Sequence, residues 1–125
     1  MNNLIKGDAF EARVAKLLRS STGHINVREL QHIRGKNVDI IFQKKWNPHK
    51  CVTIAVECKH WERNLDRQAI KSIYFDYEPL ITNKDIDELW IITHRPVGAT
   101  VQEHAKDHDK LCIFPCFRIG STLSS

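Results

Sequence analysis

Three charged residues stand where the pattern of the chain calls for apolar ones. Residues 37–43 read Asn-Val-Asp-Ile-Ile-Phe-Gln, and residues 51–59 read Cys-Val-Thr-Ile-Ala-Val-Glu-Cys-Lys. Both alternate as strands do, and the second is largely apolar on both faces before Glu57. Asp39 interrupts the first. Glu57 and Lys59 end the second on one shared face, because strand parity is two. Isolated charges are costly inside a sheet unless they pair or bind a metal. The short connection from 44 to 50 makes the strands a hairpin, which brings Asp39 near Glu57. The Glu-x-Lys spacing alone carries little weight, since seven Glu and eleven Lys yield roughly 0.6 such pairs by composition. A structural salt bridge would account for that pair by itself. Its position on an apolar strand, beside a strand broken by Asp39, is what points to chemistry.

That chemistry is metal-assisted phosphodiester hydrolysis. Two carboxylates hold a hard divalent cation such as Mg²⁺, with Mn²⁺ as a substitute, and leave room for water and phosphate oxygens. Such an ion polarises the phosphoryl group and lowers the pKa of bound water. Asp39 and Glu57 are the candidate ligands, and the backbone carbonyl of Cys58 is well placed in sequence to join them. Lys59 would orient the attacking water and offset the developing negative charge. Glu11, between Phe10 and Val14, lies in line with Ala15 and Leu18 at the margin of an apolar stripe. A solvated acid is out of place there, although a glutamate on a helix flank is the plainer reading.

Helices and strands must position these groups. Phe10, Val14 and Leu17 recur at helical spacing over 7–20, ended by Gly23. Strands are predicted over 25–30, 37–43 and 51–59. On the second, Val38, Ile40 and Phe42 share one face. Lys44 to Lys50 read as a turn marked by Asn47-Pro48. A long helix over 65–82 carries Ala69, Ile70, Ile73, Tyr74, Tyr77 and Leu80 as its apolar stripe, with Pro79 placed to end or kink it. A buried strand follows at 88–93, then a helix capped by Thr100 and a last strand at 111–114 stopped by Pro115. The order α-β-β-β-α-β-α-β gives an α/β domain, a mixed central sheet flanked by helices.

Gly7-Asp-Ala-Phe-Glu11, Gly35-Lys-Asn-Val-Asp39-Ile and Val56-Glu57-Cys58-Lys59, in that order, resemble the PD-(D/E)xK nuclease superfamily. They most resemble its Mrr-like restriction endonuclease branch. The resemblance spans about residues 6–116, including Leu89 through Ala105, which is similar to that branch's strand and following alanine-containing helix. It implies a restriction endonuclease-like core. It also implies metal ligation by the acids at Asp39 and Glu57, a catalytic lysine at Lys59, and assistance from Glu11. Gln68 matches a polar position that often points at the site. Many Mrr-like members carry Gln where this chain has Glu57, so the chain is closer to the general superfamily pattern.

Other groups compete for a role. His104, His108, Cys112 and Cys116 are spaced four apart, which allows a tetrahedral Zn²⁺ site. However, Leu111 through Cys116 is an apolar segment where buried cysteine is common, and the two histidines read as solvent-facing. Lys44, Lys45 and Trp46 form a basic loop with an aromatic that could stack on a base, or simply a solvated turn. Arg34, Lys36, Arg63, Arg67 and Lys71 flank the acids in sequence and are candidate phosphate contacts as a group.

The chain has 125 residues, 42% hydrophobic and 27% charged, which suits one soluble globular domain and excludes wholesale disorder. No apolar run is long enough for a membrane span, and the N-terminus lacks a signal-peptide core, so a cytoplasmic location is expected. The net charge of +4 leans towards polyanions. A nuclease domain is expected over 1–118, with 119–125 as a flexible tail or linker stub. No sequence-reading module is visible, so target choice is expected from a homodimer or higher oligomer, a partner, or a fused sensor or recognition segment. The expected partner is DNA, and the expected context a prokaryotic restriction or anti-phage defence protein. A Holliday-junction resolvase and a non-catalytic DNA-binding scaffold of the same fold remain the alternatives.

Overall fold

The computed structural model describes residues 2–60 and 65–119, with side chains from Ala9 onward. In chain order the elements are α1 (Asn2–Arg19), β1 (His24–Ile33), β2 (Lys36–Asn47), β3 (Lys50–Lys59), α2 (Arg67–Thr82), β4 (Glu88–Thr93), α3 (Ala99–Ala105) and β5 (Leu111–Pro115). A short 3₁₀ turn, Cys116–Arg118, follows. The five strands form one mixed sheet in the order β1-β2-β3-β4-β5. The first three are antiparallel neighbours; β3, β4 and β5 run parallel. Parallel neighbours need a crossover, and α2 and α3 supply the two. Among the described residues no helix is long and apolar enough to cross a membrane.

Each face of the sheet has its own cover. On one, α1 sets Phe10, Val14, Ala15 and Leu18 on Ile40, Phe42, Ile54, Val56, Trp90 and Ile92. On the other, α2 and α3 set Ile70, Ile73, Tyr77, Leu80, Val101 and Ala105 on Ala55, Leu89, Ile91 and Ile113. A strand covered on both sides is apolar throughout, and Leu89 through Thr93 are all buried. Full burial of each such aliphatic side chain contributes about 1.5–3 kcal/mol, so the two layers hold β3 and β4 firmly at the centre.

Several element ends differ from expectation. β2 runs on through Asn47, because Lys44, Lys45 and Asn47 find ladder partners in Val52, Cys51 and Lys50; the turn is only Pro48-His49. Helix α2 does end at Thr82 as its spacing predicts, with Pro79 inside it rather than ending it, and the cap N–H of Asn83 donates to the Pro79 carbonyl. Gly98, not Thr100, caps α3. Val38 joins the cluster under α2, while Ile40 and Phe42 join the one under α1. The β2–β3 ladder ends at the pair Ile40–Val56, and opposite Asp39 on β1 the backbone of Leu30 turns to a positive φ of 54°. The regular alternation is lost at that point. Of the expected tail, Ile119 is fully buried in the cluster under α1, and 120–125 lie outside the described residues.

Candidate active site

The parting of β2 from β3 creates the site. Beyond Ile40–Val56 the strands share no further pair, so Asp39 keeps no ladder partner on β3. Its Oδ2 accepts the N–H of Cys58 at 2.8 Å instead. Glu57, one residue before, presents its carboxylate on the α2 side, where Oε1 accepts the Tyr77 hydroxyl at 2.7 Å. Its Oε2 lies 3.1 Å from Lys59 Nζ. From the α1 side, Glu11 hydrogen-bonds Asp39. Asp39 is therefore reached from both faces of the sheet, by Glu11 and by Glu57.

Burial holds the Asp39 carboxyl above its ordinary range, and the nearby Glu57 charge adds to this; the Cys58 N–H, Glu11 and Lys59 oppose it. A buried carboxyl that resists ionisation beside a second carboxylate is short of positive charge. Burial, then Asp39, Glu11 and Glu57, push the Cys58 thiol far up, so it stays protonated and is no thiolate ligand. The Cys58 carbonyl is different. In an extended strand a residue's N–H and C=O leave on the same side, and this N–H is aimed at Asp39. The Asp39 and Glu57 carboxylates with that carbonyl make an all-oxygen donor set, which suits a hard divalent cation. Among the described residues, no three His, Cys, Asp or Glu side chains are drawn together tightly enough to cage an ion as they stand.

A cleft of about 280 Å³ opens on the α2 side, lined by Lys36, Glu57, Lys59, Ala69, Ser72, Ile73 and Asp76. Lys36 sits with its ammonium 4.9 Å from the centre of the Tyr77 ring. Tyr77, Ser72 and Asp76 were not among the expected site residues. Tyr77 reads as core in the sequence, and it is core, fully buried, with only its hydroxyl turned to Glu57. Gln68 is exposed in the first turn of α2. The helix turns about 100° per residue, so the face bearing Ala69, Ile73 and Asp76 points elsewhere, and Gln68 is not brought to the cleft.

The restriction endonuclease family model, the Mrr catalytic domain, matches residues 3–114. The chain belongs to this restriction endonuclease family. Its order of elements and mixed sheet are those of the restriction endonuclease-like fold. Neither the curated proteins nor the solved structures yield a match.

In this restriction endonuclease domain the expected phosphate contacts are scattered. Of those among the described residues, Lys36 is the one that lines the cleft. Arg34, at the β1–β2 turn, pairs with Asp85, and Arg67 pairs with Asp107 at 3.5 Å. Lys71 is exposed on α2, and Arg63 lies outside the described residues. Lys45 and Trp46 are exposed at the far end of the β2–β3 ladder. Glu57 and Cys51, the partner of Lys45, are six residues apart on β3. At ~3.3 Å per residue that is ~20 Å. Lys44 is buried on the α1 side, its ammonium 4.2 Å from the Trp46 ring centre and 5.6 Å from that of Trp90. The four-residue His/Cys pattern does not assemble. Trp90, the ladder partner of Cys112, and Cys116 belong to the α1 side, whereas His108 stacks on Tyr74 of α2 across the sheet. The sheet separates the two pairs, which removes the zinc reading.

Proposed function

We propose that this domain is a divalent-metal-dependent DNA endonuclease, the effector part of a prokaryotic restriction or anti-phage defence protein. The observation that carries the reading is the convergence of Glu11, Asp39, Glu57 and Lys59 at the parting of β2 from β3. Family membership supports DNA as the substrate, and the net charge of +4 agrees with it. Mg²⁺, or Mn²⁺ in its place, would be held by Asp39, Glu57 and the Cys58 carbonyl. Once bound, the cation supplies Lewis-acid activation of the phosphodiester and of a water.

The chain's own groups do the rest. Lys59, held by Glu57 at 3.1 Å, is an ammonium donor that orients a water and counters charge on the phosphate oxygens. Tyr77 fixes the Glu57 carboxylate, and the Cys58 N–H fixes that of Asp39. Glu11 holds the Asp39 carboxyl from the α1 side through a hydrogen bond. Lys36 offers a second cation at the mouth of the cleft for a neighbouring phosphate. Target choice comes from a homodimer or higher oligomer, or from a fused recognition module. Calorimetric titration with Mn²⁺ tests the reading. Wild type binds the ion and Asp39→Ala and Glu57→Ala do not; absence of binding by wild type favours the non-catalytic scaffold.

A further inference from the structure

A second cluster lies beside the carboxylates, on the α1 side. His60 follows β3 and His94 follows β4. The two strand ends are fastened together: the His94 N–H donates to the Lys59 carbonyl at 3.2 Å. The Thr93 hydroxyl donates to the Arg95 carbonyl at 2.6 Å, which fixes the turn that follows. The two imidazoles lie with centroids 4.3 Å apart, their planes tilted by 40°. Phe10 meets both edge-on, at 5.4 Å from His60 and 5.7 Å from His94. Phe10 immediately precedes Glu11, so one turn of α1 supports both this cluster and the acidic centre. Arg13 lies one turn after Phe10 on α1 and Arg95 follows His94, both exposed, and among the described residues the charges of these two guanidinium groups reach His94.

Two imidazoles and two guanidinium groups gathered at one rim favour an anion. Imidazole N–H and guanidinium donors suit phosphate oxygens, and charge-assisted bonds of this kind are the strong ones. We propose that His60, His94, Arg13 and Arg95 form a phosphate subsite that holds a backbone phosphodiester next to the one cut. This inference rests on the nuclease reading. It places DNA across the ends of β3 and β4, with Lys36 gripping the strand on the α2 side and this cluster on the α1 side.

Anisotropy titrations of short duplex DNA with the full chain, without divalent metal, test it. Removing one cation that neutralises a phosphate lowers the slope of log affinity against log salt by about 0.9, so the fall in affinity between about 50 and 200 mM salt shrinks about 3.5-fold. Arg13→Gln and Arg95→Gln are each expected to show that change, and His94→Gln to weaken binding several-fold at low salt. Arg13 is exposed, so Arg13→Gln decides the matter if His94→Gln does not fold. Mn²⁺ affinity stays at the wild-type value in all three. Wild-type slopes and affinities in the variants overturn the subsite while leaving the nuclease reading intact, since that reading stands or falls on Mn²⁺ binding and cleavage by wild type. A strand end carrying a 5′-phosphate offers the same oxygens. An effect of the variants on closed circular DNA supports the backbone assignment; an effect confined to 5′-phosphorylated ends overturns it.

Discussion

Replacing Tyr77 by Phe removes one oxygen from the centre and nothing else. Tyr77 is fully buried, and Phe keeps its ring, its packing and the Lys36 ammonium 4.9 Å from the ring centre. What disappears is the 2.7 Å hydrogen bond to Glu57 Oε1. Burial and the Glu57 charge both raise the Tyr77 phenol, so it donates that bond at any working pH. A hydrogen bond to a charged acceptor contributes about 1.5–3 kcal/mol. For a domain of this size about 1 kcal/mol moves Tm by roughly 3–6 °C, so metal-free Tyr77→Phe is expected to melt roughly 5–18 °C below wild type. Glu57 also loses the partner that orients it, and such a loss typically costs about 10–100-fold in metal affinity or activity. Thermal unfolding without metal, Mn²⁺ calorimetry and single-turnover nicking of plasmid DNA with Mg²⁺ measure these separately. Wild-type melting together with wild-type nicking and Mn²⁺ affinity would refute the positioning role of Tyr77.

Asp39 and His24 give predictions of opposite sense. The native state holds the Asp39 proton more tightly than the unfolded chain, because burial and Glu57 raise its pKa. Its contribution to stability is full below the ordinary carboxylate value of 3.8 and is lost as pH rises through the raised one. Asp39→Asn is therefore expected to melt above wild type at neutral pH without metal while losing cleavage, and Mg²⁺ is expected to raise the Tm of wild type only. His24 is 8% exposed, its Nε2 is buried without a hydrogen-bond partner among the described residues, and burial lowers its pKa, with Lys44 adding to this. The native state binds that proton less tightly than the unfolded one. Stability is thus full above 6.5 and falls as pH drops through 6.5 towards the lowered value. Melting curves across that range should fall for wild type and stay flatter for His24→Leu.

The acids were legible because their cost is written in the sequence. Asp39 and Glu57 break apolar strands, and a hairpin with a short turn leaves few registers, so their meeting follows from parity and turn length. The same hairpin geometry sends its own tip, Lys45 and Trp46, to the opposite end of the ladder, away from the acids they were expected to serve. Tyr77 was not legible as a site residue. Its spacing marks it as core, and its role depends on α2 folding back over β3, a tertiary fact that helical periodicity does not contain. The displacement of Val38 to the other cluster has a similar origin. Alternation predicts a face only while the pleat stays regular, and at Asp39 it does not: the β2–β3 ladder ends at Ile40 and Leu30 opposite takes a positive φ, although Val38 stays paired with β1. Gln68 fails on a finer scale, since a shift of about 100° in helix phase separates a lining residue from an exposed one.

Supercoiled plasmid cleavage with and without Mg²⁺ tests the central claim most directly. Wild type is expected to nick or linearise the plasmid only with the metal, and Asp39→Ala, Glu57→Ala and Lys59→Ala to do neither, each variant having first been shown to be folded. Cleavage that persists in all three variants, or that proceeds equally well after chelation, would contradict the account.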